Sequence, residues 1–236
     1  LTIMAVMTTL GLFAQEGRDT SYWKRNGDFT LNFSQVSFSN WAAGGKNSVS
    51  GVALYNYAAN YLKDRLAWDN RLNLGYGLLK EGSGSMIKSE DKLEFSSKAG
   101  YKMAPESKWF YSGLLNFRTQ FANGYKYPDT DNKISTLFAP AYLSFALGAD
   151  YKPSDKFSLF LSPLGSKFTF VMDDELSSIG AFGVDRGKKF RAEMGGTLKS
   201  ELKMPLMTNV DMVTAIGLFS NYLHNQQNID VNWDFR

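Results

Sequence analysis

The chain has 236 residues and a formal net charge of +3, from 26 Lys and Arg against 23 Asp and Glu. That excess of base is too small to point to nucleic acid. There is no cysteine, which excludes disulfides and thiolate metal centres within these residues, and the length suits one sizeable domain.

Leu1 to Phe13 form a compact apolar run that ends at Ala14, before Gln15, Glu16, Gly17 and Arg18. The run has the apolar core and small-residue end of a secretory signal peptide and is too short for a spanning helix. A buried terminal strand or helix is the alternative. The reading is a signal peptide over residues 1–14, clipped at its start, a short periplasmic segment over 15–26, and a single domain over 27–236. No later stretch reaches the roughly 18 consecutive apolar residues of a transmembrane helix. Leu137–Ala149 comes nearest, but Pro140 and Ser144 interrupt it, so it reads as a strand.

Gly27–Phe38 alternates Phe29, Leu31 and Phe33 with Thr30, Asn32 and Ser34, and Val49–Leu62 carries Ala53, Tyr55, Tyr57, Ala59 and Tyr61 on one parity. The clearest stretch is Leu66–Leu78. Trp68, Leu72, Leu74, Tyr76 and Leu78 share one parity, with Asn70 the one polar exception, against Ala67, Asp69, Arg71, Asn73, Gly75 and Gly77. Alternation sends successive side chains to opposite faces of a strand. It holds here for 13 residues, whereas soluble strands are commonly about 5–6 residues and a tilted strand crossing a bilayer needs roughly 9–11.

The fourth predicted strand sets Leu93, Phe95, Ala99, Tyr101 and Met103 against Lys92, Glu94, Lys98 and Lys102; the fifth sets Trp109, Tyr111, Leu115, Phe117 and Phe121 against Ser112, Asn116, Arg118 and Gln120. The sixth runs from Leu137 through Ala139 and Ala141 to Tyr151, and a shorter seventh covers Phe157 to about Pro163. The eighth opposes Phe190, Ala192, Met194, Leu198 and Leu202 to Lys189, Arg191, Glu193, Lys199, Glu201 and Lys203. The ninth carries Val210, Met212, Ile216 and Leu218, and Ile229–Phe235 begins a tenth.

Connections alternate between short turns, at Lys63, Ala104, Lys152 and Met204, and longer loops around Gly44, Gly82, Asp129 and Asp174, the last running from Leu164 to about Gly187. Outer-membrane barrels have this asymmetry. Trp68, Tyr101, Trp109, Tyr151 and Phe157 lie on the oily parity near short turns, where an interfacial girdle belongs. The predicted fold is all-β, an antiparallel up-and-down transmembrane β-barrel in the cell outer membrane. Ten strands are visible, and because the chain stops in mid-strand at Arg236 the reading is a truncated C-terminus, with twelve strands in the full-length protein. A soluble sandwich or lipocalin-like barrel would account for the alternation, but not for strand length, loop asymmetry and girdle together.

At Ser34–Gly51, SQVSFSNWAAGGKNSVSG, the chain resembles a bacteroidete-type family of outer-membrane barrels classed as a domain of unknown function. Asn40, Trp41, Ala42, Ala43, Gly44 and Gly45 are the most specific part of the likeness. The resemblance implies location and fold, and brings no catalytic residue, ligand or transported solute.

The wet parity of the third, fourth, fifth and eighth strands carries Arg71, Lys92, Lys98, Lys102, Arg118, Lys189, Arg191, Lys199 and Lys203 against Asp69, Glu94, Glu193 and Glu201. A small pore lined so would lean toward anions. Gly75, Gly77, Gly100, Gly148, Gly195 and Gly217 on the same parity leave room for a passage, or permit the bends of a closing sheet. The competing reading is a lumen closed by salt-bridged side chains, as in the smallest barrels.

His224, the single histidine, is the only base available for hydrolase chemistry and reads as a surface loop residue. Asp173, Asp174 and Glu175, or Asp129 with Asp131, lack the spacing of a calcium loop. The expectation is a narrow channel for small polar solutes, anions included, with no enzymatic activity, cofactor or metal. Its partners are outer-membrane lipid and, through the long loops, other envelope proteins. The runners-up are a non-conducting structural or assembly subunit and a barrel-embedded hydrolase.

Overall fold

The computed structural model describes residues 21–38, 45–208, 210–223 and 227–235. The predicted signal peptide, His224, and Asn40, Trp41 and Gly44 of the family-like loop lie outside them.

Strands β1 (Trp23–Val36), β2 (Ser48–Lys63), β3 (Leu66–Glu81), β4 (Ile87–Lys102) and β5 (Trp109–Thr119) follow one another as antiparallel neighbours. After β5 a long connection holds a small hairpin of β6 (Gly124–Tyr125) and β7 (Lys133–Ser135). Strands β8 (Ala141–Ser154) and β9 (Phe157–Phe170) come next, then a loop with the short helix α1 (Asp174–Ser178). Strands β10 (Phe190–Met207), β11 (Val210–Asn221) and β12 (Ile229–Phe235) complete one ten-stranded sheet in which every long strand pairs with its neighbours in the chain. Among the described residues no helix is long and apolar enough to cross a membrane, a fact that does not bear on crossing by strands.

The sheet curls. Among the described residues no ladder joins β12 to β1, so the expected closure is not made by backbone pairing along that seam. All ten long strands nevertheless line one cavity of about 1100 Å3, into which the turn residues 106–108 and 153–156 also project. The cavity therefore extends to the end of the short turns. One of these is the Asp64–Arg65 turn between Lys63 and Leu66, with Asp64 at a positive φ of 51°.

Several strand boundaries differ from expectation. Strand β1 starts at Trp23 rather than Gly27, and β3 and β4 extend until five residues, 82–86, separate them, so the long loop expected around Gly82 is a brief one. The sixth predicted strand begins at Ala141, four residues late. Ala139 does not lie on an outer wall. It is fully buried with Val171, Leu176 and Val184 beneath the loop that carries α1.

The largest revision concerns β9, which continues to Phe170 and shortens the loop expected over 164–187 to residues 171–189. Gly165 pairs with Gly195 and Ser162 with Thr197, so β9 spends three steps where β10 spends two. This is a β-bulge, with Pro163 inside it, a place where the missing N–H costs no ladder bond. The extra residue reverses the parity: Phe160 and Ser162 are buried before it, Gly165 and Thr169 after it. A period-two reading loses phase there and ends the strand early.

The convex face is apolar and open, with Leu31, Phe33, Leu147 and Leu164 more exposed than not or nearly so, at 61, 64, 46 and 63%. The polar exception on the oily parity of β3, Asn70, is satisfied within the wall: Ser97 Oγ donates to Asn70 Oδ1 (2.8 Å) and Asn70 Nδ2 donates to the Ala59 carbonyl (3.3 Å). Trp68 Nε1 donates to the same Ser97 Oγ at 2.8 Å.

Candidate functional site

The concave face holds the functional side chains because strand alternation sends there every second residue of every strand. Toward the short-turn end it carries a line of four charges. Lys98 on β4 meets Asp150 on β8 at 2.8 Å, Lys152 lies 3.6 Å from the same oxygen, and Lys152 also reaches Asp69 on β3 at 3.3 Å. Asp150 is nearly fully buried, and its second oxygen is buried without a hydrogen-bond partner among the described residues. A carboxylate so enclosed is tolerable only because two ammonium groups face it. The Phe110 ring sits beside the line, 5.7 Å from Lys152 Nζ and 6.0 Å from Lys102 Nζ.

Beside these charges runs an apolar strip. Leu114 on β5, Ala146 on β8 and Phe160 on β9 pack together and are each less than a tenth exposed. Along this arc the interior is apolar, beside the charged positions expected there. Phe110 and Leu114 belong to the wet parity of β5 and Phe160 to the inward parity of β9 before its bulge.

The predicted interior residues fall into two groups. Asp69, Arg71, Lys98, Lys102, Lys199, Glu201 and Lys203 line the large cavity; of these, Glu201 pairs with Lys203 at 3.1 Å, and Arg71 and Lys199 have no ion-pair partner among the described residues. The second group lies outside the cavity, tied into pairs: Lys92 to Glu90 at 3.5 Å, Arg118 to Glu94 at 3.3 Å, and Arg191 to Glu193 at 2.6 Å. Lys189 precedes β10 and reaches Asp174 of α1 at 2.6 Å, so it serves the loop. In all, the cavity lining holds nine Lys and Arg and five Asp and Glu, an excess that makes its potential positive. Asp150 and Lys152 are not among the predicted interior residues, yet both lie on the parity complementary to Leu147, Ala149 and Tyr151, which is the signal that finds them.

Most of the inward glycines are not vacant space. A Cβ at Gly75, Gly77 or Gly100 would meet side chains of adjacent strands at 3.1 Å or less, and at Gly148 or Gly195 it would collide with the Leu161 or Ser220 carbonyl. Those two glycines permit neighbouring backbones to approach where the sheet bends. Gly217 differs, with nothing nearer than Asn232 at 3.9 Å.

Of the predicted girdle, Trp68 packs on Trp23 (ring centroids 5.6 Å apart), which packs on Tyr61 (5.1 Å), and Trp109 packs on Tyr151 (4.7 Å). Tyr101 and Phe157 lie at the ends of β4 and β9 beside the turns, with the Arg65 guanidinium 4.7 Å from the Tyr101 ring, and Phe157 also borders the large cavity. Gly45 of the family-like loop lies against Phe38, whose ring atoms are 2.9 Å from where a Cβ would stand.

At the opposite end the loops are pinned to one another. Lys133 of β7 reaches Asp173 at 2.7 Å and Glu175 at 3.3 Å. Asp173 also caps α1, accepting from the Leu176 N–H. The Lys133 hydrogen bond holds the Asp173 carboxyl below its ordinary range, and the same contact, with Glu175 second, raises the Lys133 ammonium above its own. Asp129 is held low by hydrogen bonds from the Asn132 side chain, then from the N–H groups of Asn132 and Asp131. Arg191 donates to the Gly183 carbonyl at 3.0 Å, which moors this loop to the rim of the interior.

Residues 33–125 match the model of a family described as Protein of unknown function (DUF3078). The matched segment runs from the last residues of β1 to β6 and includes Asp69, Arg71, Lys98 and Leu114. Asp150, Lys152, Phe160 and Lys199 lie beyond it. No curated protein matches the chain.

Proposed function

We propose that this chain is an outer-membrane β-barrel of the bacteroidete type whose interior is a narrow passage for small polar solutes, anions included. The observation that carries the reading is the pairing of two surfaces on one sheet: a positively biased cavity lined by ten strands, and a convex wall of exposed Leu, Phe and Trp. In hydrocarbon every backbone group must be satisfied and the outward side chains must be apolar, while the inward ones are free to be charged. The strands support this, since β2, β3 and β4 have 16 residues each, more than the roughly 9–11 a tilted crossing needs. Surface aromatics at the short turns fit an interfacial position, and in this reading the short turns face the periplasm, as they do in outer-membrane barrels.

The test is single-channel recording from refolded protein in a planar bilayer, with the reversal potential read in a salt gradient. Stable steps with anion preference are expected, and neutralising Lys199 lowers that preference. A folded, heat-modifiable protein that never conducts overturns the passage. The strip of Leu114, Ala146 and Phe160 and the charge line through Asp150 favour a second reading for that outcome: an interior sealed by its own side chains, in a structural subunit that holds other envelope proteins by its loops.

A further inference from the structure

Lys199 lines the interior on different terms from the paired lysines Lys98, Lys152 and Lys203. It lies midway along β10, and neither an ion pair nor a hydrogen bond joins it to any described residue. Its neighbours are already engaged: Lys98 and Lys152 share Asp150, and Lys167 reaches Asp230 on β12 at 3.1 Å. Lys98 and Lys199 stand close enough across the interior for their charges to interact, and among the described residues Glu201 and Asp230, which line the same cavities, pair with Lys203 and Lys167 instead of Lys199.

The space around it is built for something other than water alone. Phe160 is its register partner on β9 and Gly217 its partner on β11. The apolar strip therefore begins on one side of Lys199, and on the other Gly217 leaves the space that the remaining inward glycines do not. Lys199 also lines both the large cavity and a smaller one of about 220 Å3 on its loop side, whose wall includes Leu114, Ala146 and Asn116. A single uncompensated ammonium at the junction of two cavities, beside an apolar wall, is complementary to a group with one negative charge and an apolar body. The apolar wall also lowers the local dielectric and strengthens the charge contact.

We infer that the interior binds a small organic monocarboxylate with an apolar ring or chain, its carboxylate on Lys199 and its body against Leu114 and Phe160. This deepens the passage reading and rests on its solvent-reachable interior, by naming the solute class that pauses there. Lysine suits the role as a mobile point charge with three donors, which takes a carboxylate without demanding one approach.

The experiment is calorimetric titration of benzoate, acetate and inorganic phosphate into the full chain refolded in detergent micelles, with the micelles alone as the blank. Benzoate is expected to bind at one site about tenfold or more tighter than acetate, because only its ring reaches the apolar wall. Lys199→Met is expected to abolish the binding and Lys199→Arg to retain it. Acetate or phosphate binding as tightly as benzoate overturns the inference, as does undiminished benzoate binding by Lys199→Met. If Lys199→Met does not fold, the benzoate-to-acetate ratio of the unaltered protein and its fall in Leu114→Asn decide the matter. Benzoate binding without conductance upholds the site and removes the passage; conductance without benzoate binding overturns the site and leaves the passage.

Discussion

Two arcs of the same concave wall obey one rule of alternation and carry opposite chemistry. On β3 and β4 the inward positions at the cavity are Asp69, Arg71, Lys98 and Lys102, whereas on β5, β8 and β9 they include Phe110, Leu114, Ala146 and Phe160. The charged arc would suit a water-filled barrel and the apolar arc a filled one. Strand period thus dictates which residues face inward, while the curl of the sheet decides whether they meet water or each other. Where β5, β8 and β9 bend, at Gly148 and the Pro163 bulge, backbones approach and side chains interlock. Along β3 they face the cavity.

The sharpest way to test the contrast is to truncate one residue in each arc. Phe160→Ala is expected to cost about 3–5 kcal/mol in urea unfolding, as for other buried aromatics, and Arg71→Ala to stay within about 0.5 kcal/mol, as for surface positions. Equal losses would mean that the apolar strip is not a core. Next in size, Asp150→Asn removes the shared anion of Lys98 and Lys152 and is expected to cost about 1–3 kcal/mol. Combining it with Lys98→Met should recover part of that loss, and a double-mutant cycle that is simply additive would show the charge line to be uncoupled.

The smallest effect is expected far from both arcs, in the loop latch. The carboxyl of Asp173 is lowered in the folded protein, so its contribution is present above the ordinary carboxylate pKa and lost as acid titrates it through the lowered one. The ammonium of Lys133 is raised, so its contribution is present below the ordinary lysine pKa and lost as alkali passes the raised one. Amide exchange in residues 171–189 should therefore quicken at both extremes of pH. Lys133→Ala should flatten that dependence with little change in global unfolding, since a single loop ion pair that keeps contact with solvent contributes little.

Much of this architecture was legible in the residues. Trp68, Leu72 and Leu74 against Asp69, Arg71 and Asn73 announce β3, and the same reasoning locates Lys98 and Lys199 on the inward face. It failed where phase slips or where packing is not periodic. Pro163 ended the predicted seventh strand because a bulge reverses parity without changing composition. Leu137 and Ala139 were placed on an outer wall because their parity agreed with Leu143, but the Thr136–Ala139 bridge and the α1 loop bury Ala139 instead. Reading the inward glycines as open room failed for a related reason: whether a missing side chain leaves a void depends on how near the next strand comes.

The sequence by itself determined the strands, their order and the two faces of the sheet, because alternation and turn spacing are local and each residue's face follows from the one before it. Only the tertiary structure decided that Asp150 lies between Lys98 and Lys152, that Phe160 packs on Leu114, and that Lys199 stands beside Gly217 with no ion pair among the described residues. Those relations join strands distant in the chain across a curled interior. Their distances depend on accumulated bend, bulge and register, which no short stretch of residues encodes.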